Sequence, residues 1–485
     1  MYTLSVRARR WALALAVGVL VLTTRAGYAK DLGDVLLKKG LITEEDLKQA
    51  REEDKQKAAA EESRRDSIVA KLPKWLDVFT PFGDVRLRHE GFYQHDLTAR
   101  NRFRFRARIG LTANVSDEIS GTVRLATGDP NDPISTNQTF QNAFNRKSIN
   151  LDWAYLTLKP GKSLGIEPGW FTLTAGKFGV NTYRASELVW DDDVSPEGAS
   201  ESLNLVERKD GFLRGLKVNT FQWVVNEVAD AEDPWTSGGQ VVSDAAFGTF
   251  AIATLGVADY HYEGLNQVAR TLLSPWKDPK TAGNPFDANT SQNTSLANSN
   301  DVVSSKADAN KNKKILGYKS GYNIVNATTE LNFPDPVGLG VPAGVFGDLA
   351  YNTQADGRNV GFYTGVGIGK AGKDWYHNAL KNKGDWGLSY TYAWVEKDAV
   401  LSIFSFSDIN EYSTRAAKVG AARPTQKGGT NLASHILRFD YALLPNLQLT
   451  AKAYIENMLD RRISNAALTG NATLVRTQLD AILKF

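Results

Sequence analysis

The stretch "RNRFRFRARIGLTANV", residues 100–115, sets Arg102, Arg104, Arg106 and Arg108 on alternate positions, interleaved with Phe103, Phe105, Ala107 and Ile109. A β-strand sends successive side chains to opposite sides, so this is a strand with one guanidinium face and one apolar face. Few environments accept both. A soluble sheet would hold the arginines in water and the phenylalanines in a core. A membrane barrel would hold the arginines on a wet lumen and the phenylalanines in lipid.

The last strand favours lipid. Phe485, Leu483, Ala481, Leu479, Thr477 and Val475 fall on one face, and Lys484, Asp480, Gln478 and Arg476 on the other, with Ile482 the exception. Just before it, Leu447, Leu449, Ala451, Ala453 and Ile455 oppose Gln448, Thr450, Lys452, Tyr454 and Glu456. Alternating segments recur from Asp84 onward, about 16 of them. Short reversals such as Ser116-Asp117 and Pro445-Asn446 take turns with long connections at 128–147, 179–210, 264–320, 397–433 and 458–473. A membrane barrel produces that rhythm, because one rim needs only tight turns and the other carries the long loops. With both chain ends on one rim the strand count is even. The expected fold is all-β: a transmembrane antiparallel β-barrel of about 16 strands, preceded by a short periplasmic helical segment.

The start of the chain fits export. Arg7, Arg9 and Arg10 precede an apolar run from Trp11 to Leu22, and Gly27-Tyr28-Ala29 offers small residues for cleavage, so residues 1–29 read as a signal peptide. Its removal takes four of the 57 basic residues (Arg7, Arg9, Arg10 and Arg25) and none of the 54 acidic ones, a nearly neutral balance that suits no nucleic-acid partner. The chain has no cysteine, so an exported protein of this size must draw its stability from a large core or a closed sheet. No further segment is apolar for long enough to cross a membrane as a helix.

Residues 30–74 read as a helical segment on the periplasmic side. Thr43 and Asp46 form a capping box, with a helix expected from Glu44 to about Lys71. Its middle is charged or alanine-only, which suits a solvated helix; a weak coiled coil or a contact with peptidoglycan is the alternative. The barrel is then expected over 75–485, with both termini periplasmic.

From the signal peptide through "WLDVFTPFGDVRLRHEG", the chain resembles the putative porin family of Gram-negative outer membranes. The phrases "RNRFRFRARIGLTANVSDEISGTVRLATGD", "LTAGKFGVN" and "ELVWDDDVSPEGAS" carry most of the likeness. The resemblance implies a general diffusion-type channel for small hydrophilic solutes and ions, homotrimeric as related porins often are. The terminal Phe485 resembles the closing residue of outer-membrane strands read by the barrel-assembly machinery. Lipid and lipopolysaccharide are the remaining expected partners.

The expected constriction pairs a basic wall with an acidic loop. Arg86 and Arg88 extend the ladder of Arg102, Arg104, Arg106 and Arg108. The loop 179–210, third on its rim, offers Asp191, Asp192, Asp193 and Glu197 as counter-charges. The plainer reading is an external acidic loop, but a bare Asp-Asp-Asp run lacks the alternating ligand spacing of a calcium loop, so no metal and no cofactor are expected. An enzyme is not expected either. His89, His95, His261, His377 and His435 are the histidines, and none stands in a catalytic phrase. Ser434 and His435 are adjacent in a strand, so their side chains diverge. A structural barrel, as adhesin or cell-wall tether, is the chief alternative, and an outer-membrane hydrolase a remote one.

Overall fold

The computed structural model describes residues 43–45, 49, 52, 56, 74–94, 97–228, 231–273, 298–306, 315–369, 380–409, 412–413, 425–426, 428–460, 462–463, 466–467 and 473–485. It divides into two units, Met1–Asp77 and Val78–Phe485. In the first, Glu44, Glu45, Gln49, Glu52 and Gln56 are helical and exposed, directly after the expected cap Thr43. The signal peptide and the rest of the expected helix lie outside the described residues.

In the second unit alternation folds as period two requires. The sixteen barrel strands are β1 (Phe79–Gln94), β2 (Arg100–Asn114), β3 (Ile119–Thr127), β4 (Ile149–Leu158), β5 (Phe171–Lys177), β6 (Glu197–Glu207), β7 (Leu213–Val224) and β8 (Trp235–Phe247), followed by β9 (Ala251–Glu263), β10 (Asn323–Phe333), β11 (Ala343–Asn352), β12 (Val360–Gly369), β13 (Trp386–Val395), β14 (Leu432–Leu444), β15 (Leu447–Met458) and β16 (Leu474–Lys484). Each pairs antiparallel with its neighbour in sequence, and β16 returns to β1, with Asp84 opposite Lys484 and Gln94 opposite Leu474. The sheet is closed, so no edge is left unpaired.

The seam is finished by the last residue. Gly83 N–H donates to the Phe485 carbonyl at 2.8 Å, and Phe485 N–H returns a bond to the Gly83 carbonyl at 3.1 Å. A Cβ at Gly83 would stand 2.8 Å from the Phe485 ring, so only glycine lets the two chain ends approach this closely.

The expected count of about 16 strands holds through two compensating differences. Residues 213–224 form one strand where the sequence suggested two, because the glycine and lysine in "RGLKV" fit the ladder without a turn. Residues 197–207, expected within the loop 179–210, form β6, because their serines and glutamates pair with β5 and β7. The third loop is therefore 178–196 (L3). Loop lengths alternate less strictly than expected: 95–99 and 353–359 are short on the long-loop rim, and 159–170 is extended on the rim of the chain ends.

The outward face is apolar. Leu87, Phe103, Ile109, Leu111, Val123, Leu255, Val366, Leu479 and Leu483 are all exposed there. The inward face is polar along β1, β2, β15 and β16, but not all round. On the β7–β13 side Trp190, Phe221, Trp223, Tyr260, Tyr322, Tyr363, Leu188, Val400 and Leu401 are buried together as a dry core. Trp190, on L3, stands 5.2 Å from Trp223 edge-on and stacks on Phe404 of the loop 396–431 (L7) at 5.5 Å. Two loops thus fill one side of the lumen and leave the arginine side to polar groups.

Candidate functional site

The arginine ladder faces inward, as the cost of the alternative demands. An arginine on the lipid face near the midplane costs about 2–4 kcal/mol. Phe103 and Ile109 are more than half exposed, whereas Arg106 is buried. The register sets Arg86 opposite Arg106 and Arg88 opposite Arg104, with Glu90 opposite Arg102 and Asp84 opposite Arg108. Like charges directly opposite on paired strands repel, so this wall needs carboxylates from elsewhere.

They come from four sources, one of them the wall itself. Within the wall, Asp84 accepts from Arg106 Nε at 2.9 Å and from Arg108 Nε at 2.7 Å. Glu90 accepts from Arg102 Nε at 2.5 Å and from Arg476 Nη2 at 2.5 Å. On β16, Asp480 takes a two-pronged bond from Arg88 at 2.7 and 2.8 Å. From L7, Asp408 meets Arg88 at 2.9 Å and Arg476 at 3.1 Å, and its backbone carbonyl also accepts from Arg476. From L3, Asp193 lies 3.3 Å from Arg108 and 3.8 Å from Arg106, and accepts from Thr136 N–H at 3.1 Å.

The four expected counter-charges therefore part company. Asp193 faces the arginines. Asp191 and Asp192 also border the cavity between the loops and the wall, but the Asp191 carboxylate accepts from the backbone N–H groups of Asp193 and of Ser407, both at 2.8 Å, and ties L3 to L7. Asp192 pairs with Arg184 at 3.3 Å and donates its N–H to Glu187. Glu197 opens β6, is exposed, and pairs with Lys177 at 2.7 Å. A tight turn cannot aim three consecutive carboxylates at one wall, which is why the acidic run divides.

L3 reaches the wall because it is anchored across the barrel. Tyr183 Oη donates to Glu330 at 2.7 Å, Ser186 Oγ to Asp348 at 2.5 Å, and Ala185 N–H to Thr328 at 3.2 Å. The second loop, 128–148 (L2), also bends in: its Gln138–Thr139 segment pairs with Phe105 and Arg104, and Ile134, Ser135, Thr136 and Asn137 are buried. Between these loops and the wall lies a cavity of about 190 Å³, lined among others by Arg86, Arg88, Arg106, Asn137, Asp193 and Asp408.

Asp84, Glu90, Arg476 and Asp480 were not expected as partners, although each alternates in step with the inward face of its strand, a signal that could have found them. Asp408 and Asn137 carried no such signal; tertiary folding alone brings their loops inward. The expected divergence of Ser434 and His435 is present: Ser434 is buried, and His435 Nδ1 meets Tyr390 Oη at 2.7 Å on an exposed face. His95 and His377 lie outside the described residues.

A family described as "Putative porin" matches residues 93–461. No curated protein matches the chain in sequence. Among solved structures, Pseudomonas putida OprB is 11% identical with a TM-score of 0.46, covering 85% of this chain and 96% of its own. The Vibrio cholerae outer membrane protein OmpT, in trimer form, is 11% identical with a TM-score of 0.40, covering 84% of this chain and 100% of its own. Salmonella typhi OmpF, in complex with daunomycin, is 9% identical with a TM-score of 0.42, covering 84% and 97%.

Proposed function

The chain belongs to the putative porin family, and we propose on that footing that this outer-membrane porin is a selective diffusion channel with an off-axis, charged constriction. One observation carries the reading. Asp193, at the tip of an inward loop, meets the guanidiniums of Arg106 and Arg108 beside a polar cavity, while the opposite side of the lumen is packed with aromatic side chains. The dry side narrows the path, and the charged side sets a transverse field that sorts small hydrophilic solutes by charge and dipole. Such a site holds and orients solutes, and membership of the porin family supports a channel rather than an enzyme.

The rim that carries the start of β1 and the end of β16 is the periplasmic one in this reading. Phe485 serves as the signal for barrel assembly. A homotrimer finds its support in polar outward groups on β5–β8, Lys177 with Glu197, Thr220 bonded to Glu201 at 2.6 Å, Gln222 and Ser237. The glycine-rich β12 is a poorer candidate, because Gly361, Gly365 and Gly367 are buried inward while Val366 and Ile368 face out.

The test is reconstitution of the mature protein in a planar bilayer under a salt gradient. Stepwise conductance with a reproducible reversal potential is expected. Folded, heat-modifiable protein that inserts without conducting would leave the tether reading in its place.

A further inference from the structure

Below the rim residue Arg100, the wall of β1, β2 and β16 carries seven guanidiniums: Arg86, Arg88, Arg102, Arg104, Arg106, Arg108 and Arg476. Five carboxylates face them: Asp84, Glu90, Asp193, Asp408 and Asp480. The pairing is uneven. Arg86 and Arg104 have no carboxylate within ion-pair distance among the described residues, and the Nε–H of each is buried without an acceptor.

What both do touch is one neutral residue. Arg86 Nη2 donates to Asn137 Oδ1 at 2.6 Å, and Arg104 Nη2 donates to the Asn137 carbonyl at 3.3 Å and to Ser135 Oγ at 3.2 Å. Asn137 Nδ2 in turn donates to Ser135 Oγ at 3.2 Å, so the amide is held where an acid would be expected. Arg86 and Asn137 line the cavity, and Arg104 stands nearer the long-loop rim, since Arg86 is in register with Arg106 two residues further along β2. Diagonal neighbours on paired strands lie about 7–8 Å apart, so the two charges flank Asn137 as successive steps of one path. Two like charges at that distance repel by about 2 kcal/mol at an effective dielectric of 20, and the carboxylates act on them only from beyond ion-pair distance, Asp480, Asp193 and Asp408 on Arg86, Glu90 and Asp408 on Arg104.

We propose that Arg86 and Arg104, on either side of Asn137, form a binding step for small inorganic oxyanions of the phosphate and sulfate class. The planar forks present paired N–H donors suited to tetrahedral oxygens, and a divalent anion meets at each step a guanidinium that has no ion-paired carboxylate. The inference rests on the porin reading for its role in transport, but the binding itself does not depend on conduction.

The experiment titrates inorganic phosphate into the folded barrel in detergent by calorimetry, and separately adds phosphate to the chloride current in a bilayer. Saturable 1:1 binding is expected, together with slowing of the chloride current over the same phosphate range. Arg86→Gln and Arg104→Gln should each weaken binding at least ten-fold, whereas Arg102→Gln, whose partner is Glu90, should not. Asn137→Asp supplies the missing acid in place and should abolish phosphate binding in a barrel that still folds. If a Gln variant fails to fold, the Lys variant keeps the charge without the fork and should bind more weakly than the parent. Absence of saturable binding, or binding unchanged in Asn137→Asp, overturns the proposal. A conducting channel without phosphate binding sinks this step and spares the porin reading, and phosphate binding without conductance does the reverse.

Discussion

Ser407 N–H donates to Asp191 Oδ2 at 2.8 Å, so an acid from the third loop fastens the seventh loop in place instead of facing the arginines. The strap is reinforced by Asp191 N–H on the Phe404 carbonyl at 2.7 Å and by Phe406 N–H on the Glu187 carbonyl at 3.1 Å. In the proposed channel, constriction geometry would then depend on two loops holding each other, and charge selection on a different residue, Asp193.

Asp191 should act through its hydrogen bonds rather than its charge. Burial first, and then the neighbouring Glu187 carboxylate, hold its pKa well above the ordinary carboxylate range. Asp191→Asn keeps an acceptor and should conduct with the parent's open-channel noise. Asp191→Ala strands two buried N–H donors, at about 1–3 kcal/mol each, and should raise both channel noise and protease cleavage in the seventh loop. Equal behaviour of the two variants would show that the charge, not the strap, is what matters.

Ion preference should follow the wall and Asp193. Arg104→Glu with Arg106→Glu is expected to leave the barrel folded and shift the reversal potential toward cations. Reversing a charge about 4 Å from the path alters an ion's energy by about 2 kcal/mol in water, reduced by salt to a permeability change on the order of five- to ten-fold. Asp193→Asn should shift preference toward anions, while Glu197→Gln should not move it. A shift from Glu197→Gln as large as that from Asp193→Asn would refute this assignment.

The seventh loop should withstand mild acid. Burial alone would raise the Asp408 pKa, but Arg88 and Arg476 overcome it and hold the carboxyl well below the ordinary range. A depressed pKa contributes stability above the unfolded value of about 3.9, and that stability is lost only as pH falls through the folded value. Loop protection measured by hydrogen exchange should stay level from pH 7 to about 4 and fall only in stronger acid. Loss of protection between pH 6 and 5 would contradict the pairing.

Trp190→Ala should empty the centre of the dry core between Trp223, Tyr260 and Phe404. Truncating a buried tryptophan costs about 3–5 kcal/mol. The sheet itself loses no hydrogen bond, so barrels should still assemble, with a lower thermal transition and a larger, noisier conductance. An unaltered transition would mean that the aromatic packing is not what holds the loops.

Barrel closure should fail from either side of the seam. Deleting Phe485, or replacing Gly83 with valine, whose side chain would collide with the Phe485 ring, should each lower the yield of heat-modifiable barrel in the outer membrane. Deleting residues 30–72 should not, because the barrel sheet already closes between the strand that starts at Phe79 and the strand that ends at Lys484. Equal loss from that deletion would assign the helical segment to barrel assembly.

Period-two alternation determined the barrel from sequence alone: each of its faces is a local property, one apolar and one polar, and the cost of an arginine in lipid fixes which way the ladder points. The terminal aromatic likewise pointed to the closing strand. Local pattern was weaker where a strand is polar on both faces, which is why β6, with Glu197, Ser200, Glu201 and Ser202, read as loop. The tertiary structure alone decided which acids meet which arginines. Asp191, Asp192 and Asp193 are indistinguishable by type and adjacent in sequence, yet the turn sends one to the wall, one to Ser407 and one to Arg184. Asp408 and Asn137 enter the site from loops whose course depends on long-range packing around Trp190 and along β2, and no local periodicity encodes where such a loop comes to rest.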